Sequence, residues 1–207
     1  MSRLRVVRVV AWAAVAVVLV AGLLIGVGGW LVGQGSEGSR QAVDLAAIGG
    51  PFRLVSHTGE VVDNDRLAGK PYLAFFGFTH CPDICLTTLF ELTDLMKELG
   101  PAADRFNVVF ITVDPERDTQ DLLARYMTSF DERILALRGT RPETDSAIKA
   151  FAAFARQVPT EGGGYTMDHT AGVYIMDAEG RFAGMLDTHE SRDVRLQKLR
   201  RIAGLGA

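Results

Sequence analysis

The sequence has very little cysteine. Its 207 residues include two cysteines, Cys81 and Cys85, and four histidines. Only one internal bridge is possible, and it would close so short a loop that it removes little entropy from the unfolded chain. A domain of this size does not need such a staple, so a purely structural disulfide explains the pair poorly. The chain also has no excess of positive charge. Its formal net charge is −3, and setting aside Arg3, Arg5 and Arg8 leaves −6 on the remainder. A mildly acidic chain is a poor nucleic-acid binder. It carries no internal repeat and no low-complexity tract.

Charge is missing altogether from residues 9–32. At about 1.5 Å of rise per residue this stretch can cross a hydrocarbon layer of about 30 Å. It is longer than the apolar part of a signal peptide, and residues 32–36 offer no clean small-residue cleavage site. An uncleaved anchor is therefore favoured over a cleaved signal. Trp30 suits the interface at the outer end, and the three preceding arginines place the N-terminus in the cytoplasm. The expected organisation is a cytoplasmic tip and transmembrane anchor over 1–32, a flexible Gly/Ser/Gln-rich linker over 33–50, and one domain over 51–207. In a bacterium this is a single-pass inner-membrane protein whose domain faces the periplasm. Disulfides persist there.

Within the domain, hydrophobic patterning predicts a hairpin from 52–55 and 61–62 across the turn at 56–60. The apolar run 72–78 reads as a buried central strand. A helix follows from about 86 to 99, stopped by Gly100-Pro101. A second buried strand spans 106–113, then a helix from 119 to 130 and a short strand from 133 to 137. Thr140 and Glu143 have capping-box spacing and open a helix to about 156. Strands at 172–176 and 181–186 and a basic helix from 191 to 203 complete the domain. Strands alternating with helices imply an α/β domain, a central mixed sheet flanked by helices. Ligands bind such sheets beyond the carboxyl ends of the strands. Both cysteines fall at that edge, in the run Gly77-Phe78-Thr79-His80-Cys81-Pro82-Asp83-Ile84-Cys85. A thioredoxin-like layout places a cysteine pair at such a junction.

On a helix, residues four apart share a face with Cβ atoms about 5–6 Å apart. A small adjustment closes a disulfide, and the same spacing lets two thiolates hold one soft ion. A helix N-terminus nearby is expected to lower the cysteine pKa. A third ligand would set the metal preference. His57 lies in a hairpin turn and reads as solvated, and His189 reads as a surface or capping residue. His80 adjoins Cys81, but a neighbour in sequence usually points elsewhere. His169 is the strongest candidate, because it follows the flexible stretch 160–164 and directly precedes a strand. Two thiolates with one imidazole suit copper, whereas zinc calls for a fourth ligand. Asp83 reads as a turn or N-cap group.

These residues together resemble the Sco (SenC) family of copper-binding proteins. The cysteine run looks like one family motif. Thr112-Val113-Asp114-Pro115-Glu116-Arg117-Asp118-Thr119 looks like a second, and Asp168-His169-Thr170 followed by Val173-Tyr174-Ile175-Met176-Asp177 like a third. The resemblance implies a thioredoxin-like fold, copper ligation by Cys81, Cys85 and His169, and a supporting role for Asp114 near the copper. It also implies assistance in building the dinuclear copper centre of cytochrome c oxidase subunit II. Taken without the resemblance, Asp114 is equally a helix-opening aspartate, and Arg117 and Asp118 read as a surface pair. The chain departs from the family pattern at Leu86 and Gln120, where proline is common.

Three functions compete. The first is a metallochaperone that passes on copper. The second is a thiol–disulfide reductase that keeps a partner's copper-binding cysteines reduced. The third is a thioredoxin-superfamily peroxidase, for which no independent signature is present. The first two part at His169, because thiol exchange needs only the sulfurs.

Overall fold

The computed structural model describes residues 48–206 together with Trp12, Leu19, Val20, Gly22 and Leu23, which are helical and exposed. Among the described residues no helix is long and apolar enough to cross a membrane. The rest of the expected span 9–32, and most of the expected linker 33–50, lie outside the described residues.

The domain runs β1 (Arg53–Ser56), β2 (Val61–Asp63), a one-turn helix α1 (Asn64–Leu67), β3 (Tyr72–Gly77), α2 (Ile84–Leu99), a 3-10 turn (Gly100–Arg105), β4 (Asn107–Thr112) and α3 (Gln120–Met127). It continues with β5 (Ile134–Arg138), α4 (Arg141–Ala150), β6 (Ala155–Pro159), β7 (Tyr165–His169), β8 (Val173–Met176), β9 (Phe182–Leu186) and α5 (Arg192–Ile202). Seven strands form one mixed sheet in the order β2-β1-β5-β4-β3-β8-β9, and β6 and β7 pair separately. This is a thioredoxin-like α/β arrangement.

Two strands occupy the middle of the sheet because their sequences are apolar on both faces. Every residue of β3 is buried, as is β4 after Asn107. They run parallel, with Gly77 opposite Thr112, so the loops that follow them leave from one edge. The other neighbour of β3 is antiparallel β8, whose first residue, Val173, lies opposite Phe75. The chain just before β8 therefore reaches the same edge. This register brings the His169 segment alongside the Cys81 and Cys85 segment.

The sequence-based reading needs one substantial correction here. The helix opened by Thr140, whose N–H donates to the Glu143 carboxylate at 2.7 Å, ends at Ala150 rather than near 156. Phe151 is fully buried against Phe52, Phe76 and Tyr174, and Ala152 takes a positive φ of 48° to turn the chain after it. Phe154 then pairs with Thr170 in both directions, donating to its Oγ1 at 2.9 Å and accepting from its N–H at 3.0 Å. The segment expected to be helix and flexible loop is thus a hairpin, with Ala155 opposite His169.

A buried carboxylate ties the two parallel strand ends together. Asp118, fully buried, accepts from the Thr79 N–H at 3.1 Å, the Thr79 hydroxyl at 2.6 Å and the Thr112 hydroxyl at 2.5 Å. It is not half of a surface pair with Arg117, as expected from sequence. Replacing it strands three donors in a dry interior, each worth about 1–3 kcal/mol when left unsatisfied. Asp118→Ala is expected to lower the unfolding free energy by about 3 kcal/mol or more, measured by urea denaturation. A loss below about 1 kcal/mol would contradict this role.

Candidate metal centre

Cys81 closes a β-turn, its N–H donating to the Phe78 carbonyl at 3.2 Å. Helix α2 starts soon after, which puts Cys85 in the first turn. Asp83, expected to be a turn or N-cap group, occupies the N-cap position, but its side chain makes no cap hydrogen bond to the backbone. The Cys85 N–H instead points at the Cys81 sulfur at 3.5 Å. Early helix N–H groups lack helical partners, and here one of them orients a thiol. Leu86 is on the exposed surface. Gln120 is the first residue of α3, directly after its N-cap Thr119. That is the position proline tolerates best, so a glutamine there leaves the helix start intact.

The donor atoms of Cys81, Cys85 and His169 lie within 4.8 Å of one another. Both cysteines are free thiols, and the Cys85 sulfur is 3.4 Å from His169 Nε2. A trigonal ion with Zn-like bonds of about 2.3 Å to sulfur and 2.0 Å to nitrogen separates its donors by about 4 Å. The three groups fit such an ion.

The imidazole is held in the tautomer that ligation requires. His169 Nδ1 sits 3.0 Å from the Thr170 carbonyl, which can only accept, so Nδ1 carries the proton and Nε2 keeps its lone pair. The ring meets Phe75 and Phe78 edge-on, with centroids 6.3 and 5.8 Å away. Burial lowers the His169 pKa below its ordinary value, which keeps the ring neutral. The expectation of a lowered cysteine pKa fails at Cys85. Desolvation pushes that thiol well up, and only a backbone hydrogen bond at Phe78 opposes it. The helix N-terminus cannot offset full burial of an anion. Cys85 therefore rests as a thiol and gives up its proton when a metal arrives.

The remaining candidates separate cleanly. His189 is exposed and pairs with Asp187 at 2.9 Å, as expected of a surface residue. His57 is not the solvated side chain expected. Its Nδ1 accepts from the Ala136 N–H at 3.1 Å, and burial lowers its pKa, so it belongs to the sheet. His80 is half exposed and lies outside the three-donor cluster.

Asp114 is not a donor in the cluster either, and it does not cap α3, whose cap is the Thr119 hydroxyl. Its fully buried carboxylate accepts from the Tyr165 hydroxyl at 2.9 Å and pairs with the Arg117 guanidinium. Arg117 also donates to the Tyr165 carbonyl at 2.9 Å and lies over the Tyr165 ring, 3.8 Å from its centroid. Tyr165 begins β7 and His169 ends it. Asp114 and Arg117 thus clamp the near end of the strand that carries the imidazole. Nothing in the local sequence marks Tyr165, because its partner lies 51 residues away.

Gly77 was also missed as a site residue. A Cβ there would stand 2.8 Å from the Cys85 sulfur and 2.7 Å from the Phe110 ring. A glycine inside an apolar strand marks such close approaches, and that was the available signal.

The SCO1/SenC family profile matches residues 40–204. The chain belongs to the SCO1/SenC family. A SCO2-like protein of Rickettsia prowazekii is 33% identical over 176 residues, covering 80% of this chain and 86% of that protein. Copper-bound ScoI of Bradyrhizobium japonicum is 44% identical with a TM-score of 0.71, covering 75% of this chain and 99% of that one. Copper-bound yeast Sco1 is 32% identical with a TM-score of 0.69, covering 75% and 87%. The Sco motifs quoted from the sequence are the segments that meet at the sheet edge.

Gly77→Ala is expected to displace the Cys85 sulfur and to weaken binding of a soft probe ion, Ag(I), by about tenfold or more, the scale of lost outer-shell support. Titration of the reduced chain tests this. Unchanged affinity would show that the site tolerates a different sulfur position.

Proposed function

We propose that this chain is a membrane-anchored copper chaperone. It binds the ion through Cys81, Cys85 and His169 and assists assembly of the dinuclear copper centre in subunit II of cytochrome c oxidase. The single observation that carries the reading is the convergence of two sulfurs and one lone-pair nitrogen within 4.8 Å. Thiolates favour Cu(I), and an added imidazole lets the site hold Cu(II) as well. Copper is here the cargo rather than a resident cofactor. Family membership, the three motifs, and the copper bound in the ScoI and Sco1 relatives support copper over zinc. The oxidase partner rests on the motif resemblance. The anchor and the periplasmic setting rest on the charge-free stretch 9–32 behind three arginines.

The sulfurs also differ in access, and this favours a second reading. Cys85 is fully buried, while Cys81 is partly exposed. An accessible thiol can attack a partner's disulfide, and a buried neighbour can then resolve the mixed disulfide. Thiol–disulfide reduction of the oxidase's copper-site cysteines would use the same pair without the histidine.

His169→Ala is expected to weaken Cu(II) binding by about 100-fold or more, beyond the loss typical of outer-shell changes. It should leave formation of the Cys81–Cys85 disulfide intact. Oxidising the pair should abolish copper uptake, because a disulfide offers no thiolate. Unchanged copper affinity in the histidine variant would favour the reductase. Copper retained stoichiometrically by the oxidised protein would refute the cysteine ligands.

Proton release gives a further check. The Cys85 thiol is raised and still protonated at neutral pH, whereas His169 is lowered and already neutral. Loading must therefore release a proton from Cys85 and none from His169 at pH 7. Apparent Cu(I) affinity should rise between pH 6 and 8 by about tenfold per pH unit for each proton lost. Release counted with an indicator dye in weak buffer tests this. Pre-ionised thiols would show no release.

A further inference from the structure

The two halves of the donor set sit on segments that share no strand pairing. Cys81 and Cys85 follow β3, a member of the seven-stranded sheet, whereas His169 ends β7, which pairs only with β6. The hairpin joins the body at its base, where Ala152 turns the chain before β6 and Gly172 leads into β8. Among the strand residues of the hairpin only Met167 is buried. A segment with so little buried surface opens easily, so the place of the imidazole depends on a few specific contacts.

Arg117 makes the decisive ones. Its guanidinium lies over the Tyr165 ring, 3.8 Å from the centroid, and donates to the Tyr165 carbonyl at 2.9 Å. The same group lies 5.8 Å from the Phe78 centroid, still within reach of a cation–π contact. Phe78 in turn meets the His169 ring edge-on at 5.8 Å, and its carbonyl accepts from the Cys81 N–H at 3.2 Å. Arg117 therefore touches the histidine hairpin through Tyr165 and the cysteine turn through Phe78. The base from which it reaches is fixed. Fully buried Asp114 pairs with it and also accepts from the Tyr165 hydroxyl at 2.9 Å. Arg138 donates to the Asp118 and Pro115 carbonyls at 3.1 and 3.2 Å, and Arg141 to the Val113 carbonyl at 3.1 Å. One pinned loop, 113–118, grips both ligand-bearing segments.

We propose that Arg117 and Tyr165 are positioning residues for His169, and that their joint sets how strongly the site favours Cu(II). Neither belongs to the donor set. The guanidinium, stacked on Tyr165 and resting near Phe78, stops the hairpin from carrying the imidazole away from the sulfurs. Two thiolates largely satisfy Cu(I), whereas Cu(II) draws more on the imidazole. Loosening the joint therefore costs Cu(II) more than Cu(I). Arginine suits this task and lysine does not, because only a planar fork can stack on a ring, pair with Asp114 and reach a carbonyl at once.

The inference rests on the copper-binding reading, and a double-mutant cycle separates the two. Cu(II) and Cu(I) affinities of the reduced full-length chain in detergent are measured by competition with chelators, for Tyr165→Leu, for His169→Ala and for the two together. Tyr165→Leu is expected to weaken Cu(II) binding about tenfold, the scale of lost outer-shell support, with Cu(I) affinity unchanged. The Cu(II)/Cu(I) potential should then rise by about 59 mV, that decade expressed for one electron. In the His169→Ala chain the same substitution should cost nothing further, because a positioning residue acts only through the group it positions. Arg117→Lys keeps the buried Asp114 paired and gives a second variant with the same expected pattern. A loss of equal size with and without His169 would overturn the proposal and leave the copper reading standing. So would an equal loss for both oxidation states, or no loss in either variant. A wild-type chain that takes up no copper would defeat both.

Discussion

Everything at the candidate centre depends on one packing constraint, the seat of the Cys85 sulfur. It lies against Gly77 at the end of β3 and beside the Phe110 ring of β4, facing His169 Nε2 at 3.4 Å. Three elements from distant parts of the chain meet there because of sheet register. β3 and β4 are parallel and release their loops at one edge, and antiparallel β8 starts at that edge. A one-residue slip of β8, buried on both faces, would exchange the side chains it presents to the two packed sides of the sheet. The register that protects the core therefore also places the imidazole.

The cost of this arrangement is a thiol that resists ionisation. Burial holds the Cys85 proton on, while the same apolar surroundings keep His169 neutral. Metal binding reverses the balance, because a bound cation stabilises the thiolate more than water would. Cys85 is quiet without cargo and anionic with it. Cys81, nearer the surface, is the more accessible of the two sulfurs. Asp118 on one side and the Asp114–Arg117–Tyr165 clamp on the other keep the turn and the hairpin in place.

Much of this could be read from the sequence, and for identifiable reasons. The apolar runs at 72–78 and 106–113 read as buried strands, and together with the cysteine spacing they located the edge of the sheet. The donor trio was legible because soft-metal ligands are rare residue types and the chain has few of them. The β6–β7 hairpin was not legible. Ala152's positive φ and the Phe154–Thr170 pairing are tertiary effects that overrode a continuing helical pattern. Asp118 also escaped, because a carboxylate beside an arginine in sequence looks like a surface pair until Thr79 and Thr112 are seen to enclose it. The ionisation of Cys85 was misjudged because proximity to a helix N-terminus is visible in a sequence, whereas complete desolvation is not.

X-ray absorption at the copper edge of the reduced, Cu(I)-loaded chain tests the central claim most directly. The account predicts one ion per chain with two sulfur neighbours at about 2.3 Å and one imidazole nitrogen at about 2.0 Å, lengths typical of such bonds. A first shell without sulfur, or one built from four sulfurs shared between two chains, would contradict it.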